Sequence, residues 1–464
     1  MNVKELYKGF DIEIKSINTN SYVKRQDSLF VCIKGKKYDG HDFVQEAILN
    51  GAIFIVSEKK LNIDIPYVIV NDSKDELARI TSIFYGNPSC KMKLTGITGT
   101  DGKTTIATIL NQCIDNSGYI GTNGIKYSIY NYNISNTTPN PLIINSFLDD
   151  MLKNGIYDCF LEVSSEAILD KRINYIPFQI AIFTNLTHEH LNSHENMENY
   201  FLTKAKLFEN LDFNDLAIIN IDNEYGLRLT KMCKAKIITY SLHNKATLMA
   251  KNIKYDIKGS TFDLVYKYRI YKNIKTNLIG EYNISNLLAV ILVLFDYHIP
   301  FKDIRKKLEN IGKINGRMEI INSHKFTSII DFAHTPNALN NLLLTVKKLC
   351  KGNIILVMGA CGNKDKTKRP LMGEIASSLA DFVIFTEEDN HDEAFELIID
   401  DLTKNINRQN YIVINSRKKA IMEATRIANY NDFIVITGKG NEKTMSKENI
   451  VIPYNDIDEI RKYI

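Results

Sequence analysis

The chain has no tryptophan, no C-x-x-C pair and no apolar run long enough to span a bilayer. Each absence removes a class of protein. The seven cysteines, Cys32, Cys90, Cys113, Cys159, Cys233, Cys350 and Cys361, are scattered and most lie in apolar runs. That excludes a disulfide framework and any metal site spelled by Cys/His spacing, and implies buried free thiols in a reducing compartment. The longest apolar helical pattern, 287–295, falls far short of the roughly 20 residues a membrane span needs. The opening stretch, MNVKELYKGFDIEIK, lacks the apolar region of a secretory leader, so a soluble cytoplasmic protein is expected. Charge of one sign is also scarce: 58 Lys and Arg against 54 Asp and Glu leave a net +4 spread along the chain. This gives no electrostatic footprint for nucleic acid and suits an anionic small substrate equally well. There is no internal repeat or low-complexity tract. The missing tryptophan, beside many Ile, Asn and Lys, reads as genome bias.

What is present is a globular composition, 44% apolar and 24% charged over 464 residues, which suggests about three domains. The informative stretch is Thr98-Gly99-Thr100-Asp101-Gly102-Lys103-Thr104-Thr105. A strand precedes it (Met92, Leu94, Ile97), and a helical pattern follows (Ile106, Ile109, Leu110, Cys113). Strand, glycine loop, Lys-Thr and helix make a phosphate cradle. Glycines let backbone N–H groups approach phosphate oxygens, and the helix N-terminus adds partial positive charge. Lys103 would reach the β/γ-phosphates and the Thr104 hydroxyl would ligate Mg²⁺. The spacing is unusual, because Ile97 occupies the first glycine position of G-x-x-x-x-G-K-[ST] and Gly96 lies one residue too far away. A glycine turn before a buried helix is the alternative.

Residues 1–90 alternate short strands (12–17, 29–33, 52–56, 67–70) and helices (43–49, 74–84), a small α/β unit. Asn87-Pro88-Ser89 marks a boundary. Residues 91–315 carry the P-loop, a hairpin over 126–134, Thr137-Thr138-Pro139 and a helix beginning at Pro139. Glu162 then ends a buried strand, and a buried carboxylate needs a partner such as a metal. The strand 180–183 runs into a loop bearing His188, His190 and His194. These lack H-E-x-x-H spacing, and one histidine as a Mg²⁺ or phosphate-site ligand is the preferred reading over zinc. Residues 316–464 alternate strands (328–332, 354–358, 382–385, 411–414, 433–437) with helices, an open, mostly parallel Rossmann-like sheet. Ligands in such sheets bind beyond the carboxyl ends of the strands. Those ends carry Asp331, Gly359–Pro370, Thr386–His391 and Gly438–Glu442.

In this order, the motifs TGTDGKTT (98–105), TTP (137–139), LEVSSEA (161–167), FTNLTHEHLNSH (183–194), FLTKAKLF (201–208), EYNISN (281–286), GRME (316–319), DFAHTP (331–336), KRPLMGEIA (368–376) and GKGNE (438–442) resemble the Mur ligases, most closely the MurE type. The resemblance covers essentially the whole chain. It implies three α/β domains: 1–90 for a UDP-sugar, 91–315 for ATP, and 316–464 for the incoming amino acid. It also implies peptidoglycan precursor synthesis, in which an amino acid is joined to UDP-N-acetylmuramoyl-L-alanyl-D-glutamate through an acyl phosphate. ATP and two Mg²⁺ ions are implied as cofactors, with a carbamylated lysine at Lys204. A monomer without nucleic-acid or membrane partners is expected. Carried over by position, the catalytic set is Lys103, Glu162, His190 and Lys204. Of these, Glu162, His190 and Lys204 match metal ligands, together with Thr104. ATP contacts match Gly99, Thr100, Gly102, Lys103, Thr104, Thr105, Asn286, Arg317 and Asp331. The UDP-substrate contacts match Ser21, His41, Phe43, Thr137, Thr138, Ser164 and Arg172, and the amino-acid pocket matches Arg369, Glu388, Asp389, His391, Gly438 and Glu442.

The chain also departs from the family pattern. Asn20-Ser21-Tyr22 stands for Asp-Ser-Arg, Ser164-Ser165-Glu166 for Ser-Ser-His, Asp170 for glutamine, and Asn441 for the histidine of Gly-Lys-Gly-His-Glu. The Asp-Asn-Pro-Arg of diaminopimelate-adding enzymes aligns onto Glu388-Asp389-Asn390-His391. A histidine cannot copy a bidentate arginine fork, so a side-chain amine such as that of lysine is expected in place of meso-diaminopimelate. A divergent paralogue acting on another UDP-linked or peptide carboxylate, a folylpolyglutamate synthetase-like ligase, and a non-enzymatic nucleotide switch are the competing readings.

Overall fold

The computed structural model describes residues 1–35, 37–189, 191–448 and 450–464. They form two compact units: Met1–Thr98 with Ile114–Ala181 and Lys206–Leu216, and Gly99–Cys113 with Ile182–Ala205 and Ala217–Ile464.

The first unit holds two sheets. A four-stranded parallel sheet is built from Ser16–Asn18, Ser28–Val31, Ala52–Ser57 and Tyr67–Ile69 in chain order. Val31, Phe54 and Val56 face Leu77 and Ile80 of the helix Ser73–Phe84. Asp72 caps that helix by accepting from Asp75 N. The first strand is shorter than the 12–17 expected, because Ile12 and Ile14 bond to Val3 and Met1 and lie outside the sheet. In the second sheet of this unit, Lys93–Thr98 pairs in parallel with Asp158–Glu162, which pairs with Ser117–Gly121. The antiparallel strands Gly124–Tyr127 and Tyr130–Tyr132 form one edge of it. The helix expected from Pro139 spans Pro141–Lys153, because Asn140 supplies the N-cap by accepting from Ile143 N.

In the second unit, Lys103–Cys113 is the helix after the P-loop. Leu248–Asp256, Gly259–Tyr266 and Arg269–Thr276 form an antiparallel run. The apolar helix Glu281–Asp296 is longer than the 287–295 read from periodicity, since its first turns carry polar residues and so masked the pattern. A six-stranded sheet follows in the order Glu319–Asn322, Phe326–Asp331, Asp432–Thr437, Ile354–Met358, Phe382–Phe385, Tyr411–Val413. It is parallel except for the first strand. Helices Pro336–Leu349 and Arg369–Leu379 cover one face through Leu339, Leu343, Met372 and Ala376. Arg417–Ile427 covers the other through Ala420, Ile421 and Ala424. This arrangement places Asp331 at, and Gly359, Thr386 and Gly438 just beyond, the carboxyl ends of adjacent strands.

Candidate active site

The phosphate loop turns on two glycines with left-handed backbone, Gly99 (φ 144°) and Gly102 (φ 89°). A side chain at Gly99 would collide with the Thr184 hydroxyl, and one at Gly102 with the Asn286 amide oxygen. Only glycine meets both demands, and the second contact brings Asn286 over the loop. Lys103 Nζ donates to the carbonyls of Gly99 (2.9 Å) and Thr100 (2.8 Å). Lys204, 1% exposed, donates to the same Gly99 oxygen at 3.0 Å and lies 4.7 Å over the Tyr200 ring. Burial, reinforced by the Lys103 charge, holds its ammonium well below the ordinary lysine range. Arg317 Nη2 donates to the Thr104 hydroxyl (3.3 Å), and its guanidinium lies over Phe332. Thr187 N donates to Thr100 Oγ1 at 3.0 Å, and Thr105 is buried behind the loop. Asp331 accepts from Met318 N (2.7 Å) and Ala333 N (2.8 Å), and burial raises its carboxyl in spite of Arg317. Gly99, Thr100, Gly102, Lys103, Thr104, Lys204, Asn286 and Arg317 therefore converge on one loop.

His190 lies outside the described residues. His188 Nε2 meets Thr367 Oγ1 at 2.8 Å, while His194 is buried against the Tyr200 ring, so these two turn to different neighbours.

In the first unit, Glu162 is fully buried at the end of its strand. Tyr119 OH (2.6 Å) and Thr122 N (3.0 Å) donate to one carboxylate oxygen, and Thr122 Oγ1 (3.2 Å) to the other. Thr138 Oγ1 donates to the Glu162 carbonyl (2.7 Å) and accepts from Ser164 N (3.0 Å). Thr137 and Thr122 share a hydroxyl contact at 3.1 Å, and Arg172 Nη1 donates to Thr138 O at 2.9 Å. Thr137, Thr138, Glu162, Ser164 and Arg172 thus form one cluster. Ser21 donates to Glu46 (3.1 Å), and Glu58 N donates to His41 Nε2 (3.0 Å). His41 and Phe43 share the short turn Gly40–Phe43, where the Phe43 ring contacts the exposed rings of Tyr22 and Tyr38.

At the ends of the six-stranded sheet, Lys439 is fully buried between Asp389 (2.7 Å) and Glu442 (2.6 Å). Burial opposes its charge, but the two carboxylates outweigh that and hold the ammonium up. Glu388 is 6% exposed and packs on Gly438, where any side chain would strike its carboxylate. Burial pushes Glu388 up to about 7, against the pull of Arg417 and Lys439. His391 has left-handed backbone (φ 54°), with Nδ1 3.0 Å from Ser446 Oγ and Nε2 3.6 Å from Cys361 Sγ. Arg369 points away from solvent. Its guanidinium is taken up by Glu393 (2.8 and 2.9 Å), Asp401 (2.9 Å) and the Cys361 carbonyl (3.1 Å), so it braces the loop from behind. Sequence reasoning missed Tyr119, Thr122, Thr184, Lys439 and Ser446. Lys439 and Thr184 carried a signal: Lys439 lies inside a motif read only for its glycine and glutamate, and Thr184 inside FTNLTHEHLNSH, read for its histidines.

Three family descriptions match in succession: Mur ligase family, catalytic domain over 13–85; Mur ligase middle domain over 97–294; and Mur ligase, glutamate ligase domain over 316–440. The chain is also 36% identical over 452 residues to a protein of Halalkalibacterium halodurans named UDP-N-acetylmuramoyl-L-alanyl-D-glutamate--2,6-diaminopimelate ligase, covering 96% of this chain and 93% of the relative. The chain belongs to the Mur ligase family. It is an ATP-dependent amide-bond ligase of that family. A Clostridium botulinum protein of the same name is 38% identical over 465 residues, covering 97% and 95% of the two chains. Among solved structures, one of a ligase with that name aligns over 100% of this chain and 98% of its own, with a TM-score of 0.69 and 26% identity. The Mur ligase MurF from Thermotoga maritima in complex with ADP shares the fold, with a TM-score of 0.70, 20% identity and coverage of 97% and 96%. No helix among the described residues is long and apolar enough to cross a membrane.

Proposed function

We propose that this Mur ligase adds the third stem-peptide residue to UDP-N-acetylmuramoyl-L-alanyl-D-glutamate in peptidoglycan precursor synthesis. The observation that carries this reading is similarity along the full chain, at 36–38% identity, to proteins named for that substrate. The match over 13–85 weighs against a folylpolyglutamate synthetase-like role: a solved Mycobacterium tuberculosis folylpolyglutamate synthase aligns with only 78% of this chain. In this reading 1–90 is the UDP-substrate domain, 91–315 the ATP domain and 316–464 the amino-acid domain, and the protein acts as a cytoplasmic monomer.

The chemistry divides into two displacements. A carboxylate oxygen of the UDP-linked dipeptide attacks the γ-phosphorus of ATP and ADP departs, leaving an acyl phosphate. The neutral amine of the incoming amino acid then attacks the acyl carbon. Inorganic phosphate leaves and the ammonium proton is lost. Phosphoryl transfer of this kind rests on positioning and charge neutralisation. Lys103 and Arg317 supply positive charge at the loop, Asn286 borders the nucleotide, and Asp331 holds the backbone that carries Arg317. Thr137, Thr138, Ser164 and Arg172 orient the sugar-peptide, and Ser21, His41 and Phe43 its uridine end.

The donor chemistry suits Mg²⁺, a hard ion that takes oxygen ligands. The Thr104 hydroxyl and the Glu162 carboxylate are such donors, and carbamylation would convert Lys204 from a cation into a third; His190 is the remaining ligand assigned. When bound, Mg²⁺ offsets the charge developing on the transferred phosphoryl group. In the amino-acid pocket, formed by Glu388, Asp389, His391, Gly438 and Glu442 with Arg369 behind it, carboxylates outnumber free cations. This favours a diamino acid and, without an arginine at position 391, one lacking a distal carboxylate. Amino-acid-dependent phosphate release, with product masses recorded across a panel of amino acids, tests the reading. No release with UDP-N-acetylmuramoyl-L-alanyl-D-glutamate and any amino acid overturns the assignment of this substrate, whereas a strong preference for meso-diaminopimelate overturns only the pocket reading.

A further inference from the structure

Between its two glycines the phosphate loop carries an acid, Asp101. A carboxylate at the tip of an anion cradle opposes the binding of a polyanion unless its charge is drawn elsewhere. Here it is drawn elsewhere. Asp101 Oδ1 accepts from the Thr335 hydroxyl (3.2 Å) and Oδ2 from the Asn337 side-chain amide (3.1 Å). Thr335 is the N-cap of the helix Pro336–Leu349, and its hydroxyl also accepts from Ala338 N at 3.0 Å. The Asp101 charge therefore sits at the positive end of a 14-residue helix, where anions are favoured. The backbone of Asp101 is fixed as well: its N–H donates to Asn185 Oδ1 (2.9 Å) and its carbonyl accepts from Thr184 Oγ1 (2.6 Å).

The partners come from different segments of the second unit. Asp101, Thr184 and Asn185 come from the nucleotide-loop side, and Thr335 and Asn337 from the segment that builds the six-stranded sheet. Two more clasps run the same way. Arg317 reaches Thr104, and Lys368 is buried against Glu189 (3.0 and 3.1 Å) and the His334 carbonyl (2.8 Å). Among the three, only the Asp101 clasp places a negative charge inside the loop itself.

We propose that Asp101 is a positioning residue for phosphoryl transfer: its carboxylate, hydrogen-bonded to Thr335 and Asn337 at the helix N-terminus, makes the loop competent for the triphosphate only when the 316–464 segment is docked. This rests on the ligase reading and adds to it a residue that ties nucleotide seating to the amino-acid domain. Without the docked helix, the Asp101 side chain loses both partners, and the stretch between Gly99 and Gly102 loses the hydrogen bonds that fix it to that segment. The loop thus senses whether the domain that supplies the amino acid is in place.

The test is a double-mutant cycle on the full chain, reading kcat and KM for ATP in phosphate release with UDP-N-acetylmuramoyl-L-alanyl-D-glutamate and the preferred amino acid. Thermal midpoints and ADP affinity by calorimetry are recorded for each variant. Asp101→Ala and Asn337→Ala are each expected to lower kcat by about fivefold or more, the lower end of measured couplings between sites. The double variant should be no worse than the poorer single variant, Asp101→Asn should recover most of the loss, and all four should keep the parental midpoint. Asp101→Ala with parental kcat, or losses that multiply in the double variant, overturns the proposal. A parent that binds ADP but forms no amide overturns the ligase reading instead, so the two failures are told apart.

Discussion

Lys103 and Lys204 donate to one and the same oxygen, the carbonyl of Gly99, at 2.9 and 3.0 Å. Two ammonium groups on one acceptor repel each other, and the more deeply buried one gives way. Burial first and the Lys103 charge second lower the Lys204 pKa, so the amine is neutral over a range where an exposed lysine is charged. A neutral amine attacks CO₂ to give a carbamate and release a proton. Labelled bicarbonate is therefore expected to give a carbamate signal in the ¹³C spectrum of the native protein, absent in Lys204→Met. The sign for stability follows from proton counting. Between the lowered folded pKa and the ordinary value of 10.5, the unfolded chain binds more protons, so stability rises with pH. Lys204→Met should flatten that rise in a series of urea midpoints.

Both oxygens of Glu162 are held, one by Tyr119 and the Thr122 N–H and the other by the Thr122 hydroxyl. Such outer contacts orient a ligand and typically change metal affinity or activity by about 10–100-fold when removed. Tyr119→Phe is expected to raise the Mg²⁺ concentration needed for half-maximal activity by roughly 10-fold while ADP affinity measured without metal stays parental. Glu162→Gln should abolish turnover at any Mg²⁺ concentration. A Tyr119→Phe variant with the parental Mg²⁺ requirement would show that the hydroxyl orients nothing.

What was legible in the sequence was local. The phosphate loop was readable because strand, glycines, Lys-Thr and helix are contiguous, and the parallel sheet after residue 316 because its apolar runs are separated by clear helical periods. The hairpin Thr444–Lys447 with Ile450–Pro453 was not, because the second strand exposes all four residues and shows no alternation of buried and exposed positions. Long-range partners were out of reach for a different reason. Tyr119 and Glu162 lie 43 residues apart and Asp101 and Thr335 lie 234 apart, and no spacing rule links residues that only the tertiary fold brings together. Arg369 was assigned from its motif alone, and its partners were as far out of reach. Its place in the motif assigns it to the amino-acid pocket, and Glu393 and Asp401, 24 and 32 residues further on, pair with its guanidinium.

His391 sits where an arginine would form a fork, and its ring is tethered to Ser446 and Cys361. The pocket is therefore short of a partner for a second carboxylate. The parent should use lysine in preference to meso-diaminopimelate. His391→Arg should shift kcat/KM toward meso-diaminopimelate by about 10-fold or more, the scale of one charge-assisted hydrogen bond. Competition between the two amino acids in one reaction, read by product mass, measures the ratio directly. An unchanged ratio in His391→Arg would mean that selection lies elsewhere in the pocket.

Glu388 gives the pocket a pH signature. Its carboxyl is pushed up to about 7 by burial, against the pull of Arg417 and Lys439. A substrate ammonium is attracted only to the ionised form. KM for the amino acid should therefore fall as pH rises through about 7, while KM for ATP stays level across the same range. The folded state pays the complementary cost: between the ordinary glutamate value of 4.5 and about 7, the folded chain binds more protons than the unfolded one, so this group's contribution to stability declines as pH rises through that window. Glu388→Gln should remove both slopes at once. If the amino-acid KM kept its pH dependence in that variant, the titrating group would be another carboxylate of the pocket, with Glu442, also raised by burial, the next to replace.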